Sequence, residues 1–396
     1  MSNYPLYLAL VALHTSPVPF APVLNGPAWL ALESVITGVS GQRTYVVIWL
    51  FRGLALFAHL INCLLIWTIL GKIAPARRLA GTLLYAWNPL VLIEAAVNGN
   101  AAGVVICLLL LAILIHLQSA TQEAPPMSAH DLNRAWPDIC SLVLVGLAAS
   151  LNLLVLVFAP LFAWFIVRGA RDITTALRGF AWRVLVVLAI VFAAYIPVWR
   201  GGTTLPEATD TLNLFNFAYS PLGLVVIPVR GLYSLVAQSA HFPLALMQPT
   251  TAADTTVLAS TLFLFALLYL REMGRVHNLT GGAQPYETLL TSCCIVMIGF
   301  IVLVATVFWP WYLIWVVWIA ALRRFDTLSI SALLLSCTAL LYYPLLSLDP
   351  SQAAILLPSC VFGIPLVYVV VQRFILKGRF ERNRVLPWPM KSNSAR

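Results

Sequence analysis

The sequence predicts an all-α, polytopic membrane protein of about 11 transmembrane helices, with interfacial helices on the outer side. Three observations carry this. Of 396 residues, 61% are hydrophobic and 9% charged, with a mean hydropathy of +0.92, whereas soluble domains carry roughly 25% charged residues. Runs of about 20 apolar residues, each enough to cross roughly 30 Å of hydrocarbon, recur along the chain. The basic residues fall at alternate ends of those runs, as the positive-inside rule requires.

Taken in order, residues 1–44 form an outer-side segment with Pro5, Pro17, Pro19, Pro22 and Pro27, in which only "PAWLALESVITG" reads as a short amphipathic helix. The N-terminal transmembrane core, 45–199, holds apolar runs at 45–71, 78–96, 101–118, 138–168 and 180–199. The 138–168 run would measure roughly 46 Å as one helix, too long for one upright span. Asn152 near its middle and Pro160 beyond it divide the run into a hairpin of two short helices. Residues 200–254 are an outer loop followed by a proline-broken apolar piece, 221–247, which reads as interfacial helices. The C-terminal helices, 255–376, contain runs at 255–271, 286–308, 309–323, 327–346 and 353–376, and a basic cytoplasmic tail occupies 377–396.

Charge tests the hairpin. With it, 19 of the 23 lysines and arginines lie on one side, including Arg77, Arg78, Arg168, Arg183, Arg271, Arg323 and the tail from Arg373 onward. Without it, every later segment inverts. The C-terminus is therefore expected in the cytoplasm, and the net charge of +9 is topological rather than a nucleic-acid footprint. The first run starts outside, yet nothing before it reads as a span or a signal peptide, so a first transmembrane helix is expected to be missing from this chain. The seven cysteines lie in apolar runs with no C-x-x-C pair, and neither a disulfide nor a metal site is expected.

The same count isolates four arginines outside the cytoplasmic set: Arg43, Arg52, Arg200 and Arg230. The acids on that outer side are Glu33, Glu94, Glu207, Asp210, Asp254 and Asp349. The stretch "YAWNPLVLIEAAVNGNAAG", 85–103, falls at an outer turn, where Asn88 and Pro89 break the helix end and satisfy freed backbone groups. Glu94, Asn98 and Asn100 line a cavity or form a plain polar loop; the residues leave both open. Arg52 lies within its helix, with His59 and Asn62 on the same face. A charge at that depth must face protein or water, which leaves a packing network, a lipid-phosphate contact or snorkelling.

Four stretches together resemble the GT-C-fold membrane glycosyltransferases, and most of all the bacterial polyprenol-phosphate-mannose-dependent mannosyltransferases: "NGPAWLALESVITG" (25–38), "LFAHLINCLLIWTILGK" (56–72), "RRLAGTLLYAWNPLVLIEAAVNGN" (77–100) and "FWPWYLIWVVWIAAL" (308–322). The resemblance implies a GT-C-like fold in a bacterial plasma membrane. It also implies transfer of a hexose, mannose above all, from a polyprenyl-phosphate donor to a glycan or glycolipid acceptor at the outer face, without a cofactor. Such chemistry needs a carboxylate base and cationic groups for the carrier phosphate. Glu33 and Glu94 are the candidate bases, and Arg52, Arg200 and Arg43 the candidate phosphate ligands. Asn88, Asn98, Asn100, His59, Trp309, Trp311 and Tyr312 are candidates for the sugar and acceptor cavity. Relatives read "NGHND" where this chain reads "NGNAA", so Ala101 and Ala102 stand at positions usually held by Asn and Asp. A truncated, non-catalytic remnant of the family and a lipid-linked-sugar transporter are the alternative readings.

Overall fold

The computed structural model describes residues 26–41, 43–120, 132–168, 172–198, 217, 219–239, 248–277 and 285–376. Those residues are helical almost throughout, and no β-sheet occurs among them. This is the outcome that lipid imposes on a chain with so little charge, because a helix satisfies its own backbone groups.

The described residues open with α1 (Pro27–Val39) and α2 (Thr44–Ile73), then a tight turn at Pro75–Arg77 leads to α3 (Arg78–Ala86). The short α4 (Pro89–Leu92) continues as a π-helical turn, Ile93–Asn98, and α5 (Ala102–Ala120) follows. Next come α6 (Leu132–Leu151), a 3-10 stretch (Leu153–Val157), α7 (Ala159–Val167) and α8 (Ile173–Tyr195). The remainder is α9 (Pro221–Ser239), α10 (Pro249–His277), α11 (Pro285–Leu303), α12 (Ile314–Leu322), α13 (Thr327–Thr338), α14 (Tyr342–Leu345) and α15 (Pro350–Val370).

By length and composition, six helices among the described residues can cross a membrane, and the pair 75–86 and 89–98, bent by 50°, forms a seventh candidate. Several of the remaining apolar helices are shorter than a full span, including 136–151, 153–167 and 310–322. The molecule is therefore an all-α, multi-pass membrane protein.

Asn and Asp side chains set the breaks, because a short side-chain oxygen caps a helix start. Asn88 accepts from the backbone of Leu90 and Val91 at 3.1 and 3.2 Å, and Asn152 from Leu154 at 2.9 Å. Asp172 caps α8 through Thr175, and Asp326 caps α13 through Ser329. The break at Asn152 makes a hairpin. Asp138 near the start of α6 bonds His116 at 3.0 Å, and Phe165 near the end of α7 lies 5.8 Å from the same imidazole, so both ends return to one level.

Helix α12 is the central strut. All nine of its residues are buried, enclosed chiefly by α3, α11 and α13. Gly81 of α3 makes the crossing possible, since a Cβ there would meet the Ala321 carbonyl oxygen at 2.4 Å; small residues allow such close approach in membranes. The helices at the periphery expose ridges of large apolar side chains: Leu60 and Leu64 on α2, Trp182 and Leu185 on α8, Phe263 and Leu267 on α10.

One end of the bundle is tied by ion pairs. Arg77 reaches Glu287 at 3.4 Å, and the buried Arg323 bonds Asp326 at 2.9 Å, Thr291 at 3.1 Å and Ser329 at 3.3 Å. Two sequence expectations differ in detail. The piece 221–247 forms one helix as far as Ser239, lying beside α10 and joined to it by a two-pronged pair from Arg230 to Asp254 at 2.7 Å. Trp309, Trp311, Tyr312 and Trp315 read from the sequence as an aromatic belt at a membrane interface, yet Tyr312 and Trp315 are buried against neighbouring helices.

Candidate functional site

The site forms at the end of the bundle opposite the ion-paired one, where the 93–103 turn folds against α2. The π-helical turn Ile93–Asn98 ends at Gly99, whose φ of 64° lies in the left-handed region. Glycine suits this position doubly. It adopts that conformation without a Cβ penalty, and a Cβ there would approach the backbone of Phe51 and Arg52 to 3.2 Å. Beyond Gly99, the Asn100 amide donates to the Glu94 carbonyl at 2.9 Å, and Asn100 Oδ1 accepts from the Ala102 amide at 2.8 Å, starting α5.

This geometry turns Glu94 fully inward, with 0% of it exposed. Three side chains gather on it. Asn100 Nδ2 donates to Oε2 at 3.2 Å, the Tyr343 hydroxyl donates to Oε1, and Asn98 Nδ2 donates to the Tyr343 oxygen at 3.3 Å. Burying a carboxylate costs several kcal/mol unless donors surround it. Here they do.

Next to Glu94 is a small cavity of about 10 Å³, lined by Ala55, His59, Tyr85, Glu94, Asn100 and Ile314 among others. That is room for about one water. His59 stacks on Tyr85 with ring centroids 5.4 Å apart. Asn62 donates to the Tyr85 hydroxyl at 3.0 Å and to the Gly103 carbonyl at 2.8 Å. The Arg52 Nε donates to the Val97 carbonyl at 2.8 Å, and its guanidinium lies 5.7 Å from the Trp49 ring centroid. The polar face of α2 thus holds the 93–103 turn in place.

The remaining candidates are distributed. Asn88 adds to its capping role a bond from Nδ2 to Ser336 Oγ at 2.9 Å. Trp309 and Trp311 stack at 4.6 Å, and Trp309 lies 5.7 Å from Tyr342, the neighbour of Tyr343. Tyr312 is buried beside Trp311. Glu33 stays on α1, where its carboxylate accepts from Trp29 Nε1 and Trp29 in turn touches Phe51. Burial pushes the Glu33 carboxyl up to about 6, against the opposing pull of the Trp29 bond. Arg43 is exposed at the start of α2, and Arg200 lies outside the described residues.

Sequence reasoning missed Tyr343 and Tyr85. The signal for Tyr343 is "LYYPLL" (341–346), an aromatic pair ahead of a proline at the same expected membrane level as the 93–103 turn. Among the described residues, no three His, Cys, Asp or Glu side chains come together as a metal-binding group. Comparison with protein-family models, with curated proteins and with solved structures finds no match in any of the three.

Proposed function

We propose that the chain is a membrane glycosyltransferase that moves a hexose, mannose in the first instance, from a polyprenyl-phosphate donor to a hydroxyl of a glycan or glycolipid acceptor. The observation that supports this reading is Glu94: a carboxylate with no exposure, seated in a polar cluster at the end of a membrane bundle. An ionisable group kept at such a level is a mark of function. Glu94 takes the proton of the acceptor hydroxyl as that oxygen bonds the anomeric carbon. The bond from the sugar to the phosphate oxygen breaks, and the negative charge left on the carrier phosphate is held by Arg52, with Arg43 and Arg200. Trp309 and Trp311 offer a stacking face close by. In this reading the bundle has about 11 crossings in a GT-C-like arrangement, in a bacterial plasma membrane, with the site outside and the tail after Arg373 inside.

The cavity as it stands admits a water, not a sugar, so turnover requires Tyr343 and Asn98 to release Glu94. The same closure, with Ala101 and Ala102 in the turn, favours a second reading: a folded, non-catalytic relative in which the cluster is structural.

Reconstitution with radiolabelled polyprenyl-phosphate-mannose and a lipid acceptor separates the two. Transfer that falls roughly 10²–10⁴-fold in Glu94→Gln, the usual worth of a general base, supports the enzyme. Transfer unchanged in Glu94→Gln and lost in Glu33→Gln moves the base to α1. No transfer by the folded parent establishes the second reading.

A further inference from the structure

We infer that the ion-paired end of the bundle is a docking surface for anionic phospholipid headgroups. The inference stands apart from the glycosyltransferase reading, because it rests on residues at the end of the bundle opposite Glu94.

On each of three helices a ridge of lipid-facing side chains ends in a cation. Helix α10 presents Phe263, Leu267, Arg271 and Arg275 at successive intervals of four residues, which places them on one face. The first two are exposed apolar side chains, and the two arginines are 71% and 46% exposed. Helix α8 repeats the pattern in reverse order: the exposed Arg178 is followed four residues later by Trp182, 64% exposed, and then by Leu185. Helix α2 does so again, with the exposed Leu60 and Leu64 four residues apart and the exposed Lys72 two turns beyond them. Each cation therefore emerges where the hydrocarbon ends, at the level of lipid phosphates rather than out in water.

Among the described residues, the carboxylates at this end turn the other way, and Asp326, 30% exposed, is bonded by the buried Arg323. Glu272 is fully buried, and the side chains of Glu287 and Asp138 are 18% and 25% exposed. They are engaged inside the bundle by Ser292, Arg77 and His116 respectively. Asp172 is exposed, but its oxygens cap α8. Glu272 also lies 3.6 Å from both Arg271 and Arg275, and one carboxylate offsets only one of the two. The surplus positive charge consequently faces the lipid boundary, where a cation near an anionic leaflet gains about 1 kcal/mol, or about fivefold in binding.

The probe is a mixture of phosphatidylglycerol and phosphatidylcholine, with native mass spectrometry of the full chain counting the lipids it retains from mixed micelles. The parent should retain phosphatidylglycerol in excess. The excess should fall by about fivefold for each of Lys72→Gln, Arg178→Gln and Arg271→Gln, fall with added salt as Debye screening requires, and survive Arg271→Lys. Arg230→Gln, at the opposite end and paired with Asp254, should leave it unchanged. Inorganic phosphate at equal concentration should not displace the lipid, because the apolar ridge holds the acyl chains. Equal retention of the two lipids by the parent overturns the inference, whatever the variants do. Displacement by free phosphate overturns the lipid as occupant, and an excess unaltered by the three Gln variants overturns the surface.

Discussion

Tyr343 and Glu94 stand 249 positions apart in the sequence, and the tyrosine hydroxyl donates directly to the buried carboxylate. This bond joins the segment after α13 to the π-helical turn before α5, and the Glu94 it holds lines, with Asn100, the small cavity beside His59.

Tyr343→Phe removes the donor and leaves a buried acceptor short of a partner, a loss of about 1–3 kcal/mol. The expected outcome is a lower melting temperature in detergent. A Tyr343→Phe protein as stable as the parent would mean that the bond does not hold the turn.

Gly81→Ala should be costly although alanine is the better helix former. The added methyl would sit 2.4 Å from the Ala321 carbonyl and 2.6 Å from a Leu70 methyl, so α3 and α12 must part. Overpacking of this kind costs about 1–3 kcal/mol. Gly53→Ala, where nothing lies within 4 Å, is the control and should be neutral or slightly stabilising. Thermal unfolding of the two variants side by side tests the crossing.

Arg323→Met should be among the most damaging single changes at the ion-paired end. Its side chain is 1% exposed and bonds Asp326, Thr291 and Ser329 across three helices. Asp326 is 30% exposed and keeps Arg324 at 3.8 Å, so the loss is chiefly that of hydrogen bonds from a buried charged group, about 1–3 kcal/mol. Recovery of stability in Arg323→Met combined with Asp326→Asn would show that the uncompensated carboxylate is the cause; no recovery would place the cost in packing.

Glu33 should make stability depend on pH. Its carboxyl in the folded protein is raised from 4.5 to about 6 by burial. The folded state then holds the proton more tightly than the unfolded chain does. The resulting contribution is fully present below about pH 4.5 and is lost as the pH rises through about 6. Melting temperatures taken from pH 4 to pH 7 should fall across that window, and the part due to Glu33 should vanish in Glu33→Gln. An unchanged slope in the variant would assign the dependence to other groups.

What the sequence by itself determined is what can be read along one dimension. Apolar length and sparse charge made the chain a membrane protein of helices. Asn88 and Asn152 marked breaks where they cap the following helical turns, and the spread of arginines required the hairpin at Asn152 that Asp138 and Phe165 then close on His116. Around the site, the polar face of Arg52, His59 and Asn62 was visible in its spacing, and so was the turn carrying Glu94. Tertiary structure alone decided which partner each of these has. Tyr343 reaches Glu94, Tyr85 stacks on His59, and α12, with its row of aromatic and aliphatic side chains, lies in the centre instead of against lipid. The physical reason is the solvent. In water a buried face and an exposed face differ in polarity, so periodicity reveals which is which. In a bilayer, lipid tails are as apolar as a leucine core, and only the packing of helices decides which apolar side chain meets protein and which meets lipid.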